Sequence, residues 1–263
     1  MWWKRQFQHI RELYNYRNLI WILAWVEFKQ RYKNSVLGYF WSLLEPLLML
    51  GILYLVFSHL MRVEVEHYQL FLLQGIIMWS FFSRSTTSSL TAITLNYQMV
   101  KKVYFPRDIL VISNCVTALL MSIFESIVFL AFLLIFQIPL TINILFLPLV
   151  VLVFFIVALG TSLMLAALNV YYRDIQYIWA LVLQVGFFAT PVIYPLSIFP
   201  GDLLKFLSYN PLAQIIFVAR DVTLYARPPN MVSFLFIVFI AGVILATGYS
   251  VFNWLEPKFA EEM

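Results

Sequence analysis

The sequence predicts an all-α polytopic membrane protein, and three observations carry that class. Hydrophobic residues make up 63% of the 263 residues and charged ones 11%. That leaves too few polar groups to cover a globule in water, so lipid must be the solvent for most of the chain. The apolar residues fall into runs of about twenty, the length a helix needs to cross roughly 30 Å of hydrocarbon. Lys and Arg collect at the ends of these runs, so the net charge of +4 speaks for membrane topology and against a nucleic-acid footprint. A single cysteine, Cys115, excludes an intramolecular disulfide, and its apolar setting suits packing.

Met1 to Asn18 is polar and aromatic, and no small-residue cleavage site follows the apolar run Leu19 to Val26, so no cleavable signal peptide is expected. Across Leu19 to Tyr32 the aromatics Trp21, Trp25, Phe28 and Tyr32 recur at spacings of four, three and four, which stacks them on one helical face. Glu27, Gln30, Arg31 and Asn34 gather toward another face. Eight apolar residues cannot span a bilayer. Residues 11–34 are therefore expected to form an interfacial amphipathic helix in the inner headgroup plane, with Trp21, Trp25, Glu27, Arg31 and Lys33 as its headgroup-facing residues. A helix packed against the protein's own spans is the alternative.

From Arg31 to Pro46 a basic surface segment turns into a span: Arg31 and Lys33 suit anionic headgroups, and Tyr39 and Trp41 suit the interfacial aromatic belt. Six transmembrane helices are expected, at about 40–61, 69–94, 109–136, 144–170, 175–194 and 232–254. An even number puts both termini on one side. Twelve Lys and Arg fall on the side of the N-terminal segment, the connections around Lys101 and Arg173, and the tail; four (Arg62, Lys205, Arg220 and Arg227) fall on the other, and Arg84 lies within a span. Both termini are thus expected in the cytoplasm. Residues 195–231 are rich in Leu, Phe and Ile but broken by Pro195, Pro200, Gly201, Pro211, Pro228 and Pro229, which suits two short re-entrant helices in the outer leaflet. No repeat or linker divides the chain, so residues 1–263 read as one domain with a six-helix bundle over 40–254.

A membrane enzyme would need residues that this sequence lacks. His9, His59 and His67 are far apart, and there is no metal-ligand spacing, paired carboxylate motif, Gly-x-Ser-x-Gly or phosphate-cradling Gly-rich loop. No catalytic residue, metal site or cofactor of its own is expected. The ionisable residues inside spans are Glu45, Arg84 and Glu125, and such groups are costly in hydrocarbon. Counting about 1.5 Å per residue from the cytoplasmic helix ends puts Glu45 about 7 Å deep, Arg84 roughly 15 to 18 Å and Glu125 roughly 24 Å, so Arg84 is expected to pair with Glu125. Ser80, Ser83 and Thr87 share the face of Arg84, where helix packing through small hydroxyl residues is the weightier reading. The connection Lys101-Lys102-Val103-Tyr104-Phe105-Pro106-Arg107 sets apolar residues beside three cations. It reads either as a docking surface or as a short loop folding its aromatics back to the interface.

Five separated motifs occur in order: Arg31-Tyr-Lys-x-Ser-x-Leu-Gly-x-x-Trp41 ending in Pro46, Lys102-x-x-Phe-Pro-Arg107, Asn169-x-x-x-Arg-Asp174, Thr190-Pro-Val-Ile-Tyr194 and Tyr209-Asn-Pro211. In these the chain resembles, over nearly its whole length, the permease subunits of polysaccharide ABC exporters, in the O-antigen (Wzm-like) branch of the ABC-2-type transporters. Capsule and teichoic-acid exporters share the first motif and the layout and stay open as alternatives, as does a small-molecule exporter.

The resemblance implies a homodimer in the bacterial cytoplasmic (inner) membrane, joined to two copies of a separate ATPase subunit, that moves a lipid-linked polysaccharide outward. ATP and Mg would be bound by that partner, since no nucleotide-binding motif is present here. Lys101, Lys102, Val103, Tyr104, Phe105, Pro106 and Arg107 would form the coupling helix that enters the ATPase, and the interfacial helix would contact ATPase and lipid. Arg31 and Lys33 would meet the phosphates of a polyprenyl-diphosphate carrier. On the fifth span Gln184 and Phe188 lie one turn apart on a face that also carries Ala180 and Pro191. With Tyr39, Trp41, Trp179, Phe187 and Tyr194 they are the candidate channel lining, because sugar hydroxyls and CH-rich ring faces can slide over many weak contacts. Packing and belt roles are the alternative for these aromatics, and the role of Glu45 is open.

Overall fold

The computed structural model describes residues 12–33, 35–60, 65–103, 105–195 and 209–259. Among them all regular structure is helical. In chain order the helices are α1 (Arg17–Tyr32), α2 (Phe40–Tyr54, continued by a π-helical stretch, Leu55–Leu60), α3 (Tyr68–Leu90), and the short α4 (Ala92–Leu95) and α5 (Tyr97–Lys102). Then come α6 (Asp108–Ile135), α7 (Leu147–Tyr171, entered through the 3-10 turn Ile142–Phe146), α8 (Ile175–Ala189), α9 (Pro211–Thr223) and α10 (Met231–Leu255, ending in the 3-10 turn Glu256–Lys258).

Among the described residues four helical stretches are long and apolar enough to cross a bilayer: Phe40–Ser58, Asp108–Ile135, Ile142–Tyr171 and Met231–Lys258. The expected second and fifth spans differ from these for separate reasons. α3 is the centre of the bundle, packed against α2, α6, α7, α8 and α9. Wrapped in protein, it needs no apolar coat, and it buries Gln74, Ser85, Thr86 and Ser89 beside Leu70, Leu72 and Phe81. α8 is 15 residues long, about 22 Å at 1.5 Å per residue and short of the hydrocarbon thickness. It stops at Ala189 because Pro191 follows: Thr190, the residue before the proline, is extended at φ −99° and ψ 135°. The expected span to Tyr194 thus ends as a turn, with Val192 and Ile193 buried.

α1 packs along α6. Leu19, Ile20 and Leu23 join the cluster that holds Phe105, Ile109 and Val111. Further on, the Thr117 hydroxyl oxygen lies 3.2 Å from the Ala24 carbonyl, and Phe28 stacks on Phe124 at 5.4 Å. One face of α1 is therefore covered by the protein, as the alternative reading had it, while Trp21, Ile22, Trp25 and Val26 stay exposed on the other.

α7 and α10 make the closest crossing, at Gly160 and Gly248. A methyl group on Gly248 would overlap the Gly160 carbonyl oxygen, and one on Gly160 would lie 2.7 Å from Ile244 O, so only hydrogen fits. Asn230 caps α10 by accepting from the Val232 and Ser233 amides. Asn210 caps α9, with Pro211 at its first position. Of the two helices expected in 195–231, α9 is present and packs against α3, α7 and α10. Residues 196–208 lie outside the described residues.

Candidate functional site

α2, α3 and α8 surround an open cavity of about 770 Å³. Trp41, Gln184, Phe187 and Phe188 line it, together with Glu45 and Arg84. Phe187 also meets Trp79 edge-on at 5.9 Å, and Trp79 reaches α8 because position 186 is glycine, where a Cβ would come within 2.9 Å of the indole. The wall is thus aromatic and aliphatic, with one amide and the hydroxyls of Ser80 and Ser83. Such a surface offers weak hydrogen bonds and ring faces, and few strong anchors.

The charged residues on that wall are Glu45 and Arg84, and Arg84 is paired with the buried Glu125. Arg84 Nη2 donates to Glu125 Oε1, and Arg84 Nε donates to Ser80 O at 3.2 Å. Glu125 is fully buried, and its Oε2 has no hydrogen-bond partner among the described residues. Glu45 lines the same cavity as Arg84, which the count from helix ends set roughly 8 to 11 Å deeper. That count took the cytoplasmic helix ends as coplanar. They are not: Tyr39, just before α2, stacks on Phe28, which stacks on Phe124 well inside α6.

Three of the candidate lining residues stand elsewhere. Trp179 donates its indole N–H to Thr86 Oγ1 at 3.0 Å and packs beside Phe82, an interior role between α8 and α3. Tyr194 donates its hydroxyl to Phe188 O and joins the cluster around Ile193. Tyr39 faces a separate groove with Lys29 and Lys33. Neighbours in sequence or helical phase were separated here by the turn at Thr190 and by the offset of α2.

Between α5 and α6, Lys101 and Lys102 end α5 exposed, and Val103 is 57% exposed. Phe105 is not part of that surface. It is 8% exposed and lies in the cluster of Ile109, Leu110, Phe252 and Phe259. Half-buried Pro106 follows, and Arg107 donates to the Glu256 carbonyl from beside the Phe259 ring. Phe105 and Arg107 thus tie the segment to the end of α10, because an aromatic flanked by Ile109 and Leu110 loses more water by folding inward than by standing out. Tyr104 lies outside the described residues. On α1, Trp21 and Trp25 are exposed and stacked at 6.2 Å, and Arg31 and Lys33 are exposed. Glu27 turns inward to the Thr117 hydroxyl at 3.4 Å, and burial lifts its carboxyl above the usual range, with Thr117 and then Arg31 pulling it back.

The sequence profile described as "ABC-2 type transporter" matches residues 18–224. The chain belongs to the ABC-2 type transporter family. It is 32% identical over 246 residues to the "O-antigen export system permease protein RfbA" of Klebsiella pneumoniae, covering 93% of this chain and 94% of that one. The protein of the same description in Myxococcus xanthus is 31% identical over 256 residues, covering 97% and 98%. The "Polysialic acid transport protein KpsM" of Escherichia coli is 25% identical over 244 residues, covering 88% and 90%.

One residue of this ABC-2 transporter was misplaced by sequence reasoning. Arg220, counted among the outer-side topological charges, is 1% exposed in the last turn of α9. The available signal was its setting: Asn210-Pro211 marks a helix start, and Arg220 follows the apolar stretch Ile215 to Ala219 of that helix, next to Asp221. A cation there must find internal acceptors.

Proposed function

We propose that this chain is the channel-forming permease subunit of an exporter that moves lipid-linked polysaccharide of the O-antigen type across a bacterial cytoplasmic membrane. The observation that carries the reading is the cavity of about 770 Å³ with Trp41, Gln184, Phe187 and Phe188 on its wall. Ring faces and a few amide and hydroxyl groups suit a neutral, hydroxyl-rich polymer, and they hold it weakly enough to let it slide. The family match and the permease names of the Klebsiella and Myxococcus relatives support the substrate class.

In this reading α2, α3, α6, α7, α8 and α10 are the six spans, α8 being completed by the turn at Thr190 to Tyr194, and the whole chain is one domain. With Arg220 buried, twelve Lys and Arg stand against three (Arg62, Lys205 and Arg227), which supports cytoplasmic termini. Leu48 and Ile52 of α2 line the open cavity and are exposed, as are Leu181 and Val185 of α8, and a second copy would close it into a channel. ATP and Mg belong to a separate ATPase subunit, two copies of which would dock on Lys101, Lys102 and Val103. An exporter of capsule polysaccharide is the second reading, favoured by the similarity to the polysialic acid transport protein.

The test is complementation of a strain lacking the chain. Trp41→Ala and Phe188→Ala should each lower surface polysaccharide several-fold and leave glycan inside the cell, with copurification of the ATPase unchanged. Normal export by both variants would remove the cavity from the transport path.

A further inference from the structure

Two cavities meet along α1, and their chemistry is opposite. The first, about 470 Å³, lies between α1, the junction of α3 with α4, and the start of α6. Its hydroxyl protons are already committed to the helices: Ser88 donates to Arg84 O at 2.7 Å and Ser113 to Leu110 O at 2.9 Å. Asn96 and Asn114 each direct an amide N–H to a helix carbonyl, at 2.8 and 3.0 Å. What they leave is oxygen lone pairs together with the second N–H of each amide. The other polar groups of the lining are the Thr91 hydroxyl, which donates to Ser88 O at 3.5 Å, the Gln30 amide, and the Glu27 carboxylate, which among the described residues has the long Thr117 bond and no ion pair. A half-buried carboxylate held by one long hydroxyl contact leaves room for a stronger, charged donor.

The second cavity, about 430 Å³, adjoins the first at Val26 and Gln30, which line both. Here the charges are Lys29 and Lys33, beside Tyr39. The exposed side chains of Trp21, Ile22 and Trp25 continue the same helix as an apolar strip. An acceptor-lined pocket with a carboxylate, a cationic groove next to it and an apolar strip beside both together match a single kind of molecule. We propose that α1 binds the headgroup of a zwitterionic phospholipid bearing a primary ammonium, with the ammonium in the Glu27 cavity and the phosphate at Lys29 and Lys33. Three N–H donors suit the acceptor lining, which a quaternary ammonium cannot satisfy, and an amine-free anionic headgroup leaves Glu27 unmatched. The inference rests on the sequence expectation that α1 lies in the inner headgroup plane.

The experiment uses the permease assembled with its ATPase, reconstituted in nanodiscs of ethanolamine, choline and glycerol phospholipids in equal amounts, then extracted with detergent. Mass spectrometry counts the lipids that stay bound. Ethanolamine phospholipid should be retained over the other two, Glu27→Gln should abolish the preference, and Lys29→Gln with Lys33→Gln should reduce retention of all three. Glu27→Gln keeps an acceptor for Thr117; should it fail to assemble, Asn114→Leu, which fills the same cavity from α6, carries the same expectation. Equal retention of the three lipids, an unchanged preference in Glu27→Gln, or replacement of the lipid by free ethanolamine would each overturn the assignment. No preference in a wild-type protein that exports polysaccharide sinks this inference alone, whereas a preference in a protein that exports none sinks only the transport reading.

Discussion

The Arg220 guanidinium lies over the ring of Phe71, with 3.4 Å from its central carbon to the ring centroid. The same group donates from Nη1 to Pro191 O at 2.9 Å, and from Nη2 to Phe71 O at 3.1 Å and Val192 O at 2.8 Å. A single planar fork thus satisfies carbonyls exposed by the end of α8 and binds α9 to α3. Arg220→Lys should therefore lower the thermal midpoint of the purified protein almost as much as Arg220→Leu. A lysine is a point donor, and each buried carbonyl left open costs roughly 1–3 kcal/mol. A wild-type midpoint in the lysine variant would show that the fork geometry is dispensable.

Arg84 and Glu125 should couple in a double-mutant cycle. Either single change, Arg84→Gln or Glu125→Gln, strands one charge beside the cavity, a loss of about 3–5 kcal/mol for a buried pair. The double variant should be more stable than the sum of the singles implies, as read by unfolding in detergent. Additive losses would mean that the contact contributes nothing beyond the two side chains.

Val103 and Phe105 should part company on substitution, though only one residue separates them. Val103→Asp places a charge on an exposed site, so the permease should stay folded and lose ATPase copurification. Phe105→Asp places it against Ile109, Leu110 and Phe252, and should lower the midpoint and the yield of the permease itself. Equal behaviour of the two in both assays would refute the division of this segment into a surface half and an anchored half.

Topology is open to thiol labelling in intact cells, after Cys115→Ala. A cysteine at Glu66, which is exposed just before α3, should react with an impermeant reagent, and one at Lys258 should react only after lysis. Labelling at Lys258 without lysis would reverse the orientation drawn from the Lys and Arg count.

Much of the bundle was legible because its causes are local. The thickness of hydrocarbon and the rise per residue set the length of an apolar run, so α2, α6, α7 and α10 stand close to where the runs do. The expense of charge in lipid likewise marks Arg84 and Glu125 from sequence alone, and they touch in the structure. Glu45 shows where such reasoning stops, since run lengths say nothing about how far one helix is displaced along its neighbour.

By itself, then, the sequence determined the solvent, the class of fold, the order of the apolar helices and the family, because each follows from composition, run length or motif spacing along one chain. Only the tertiary structure decided which side of each helix is covered. It set Trp41, Gln184, Phe187 and Phe188 on one cavity and turned Trp179 inward to Thr86. It also folded Phe105 under Phe252 and sent Arg220 to the carbonyls of α3 and the α8 turn. Aromatics and cations look alike at a lipid boundary, a channel wall and a packed core, and the neighbours that tell these apart come from segments distant in the chain.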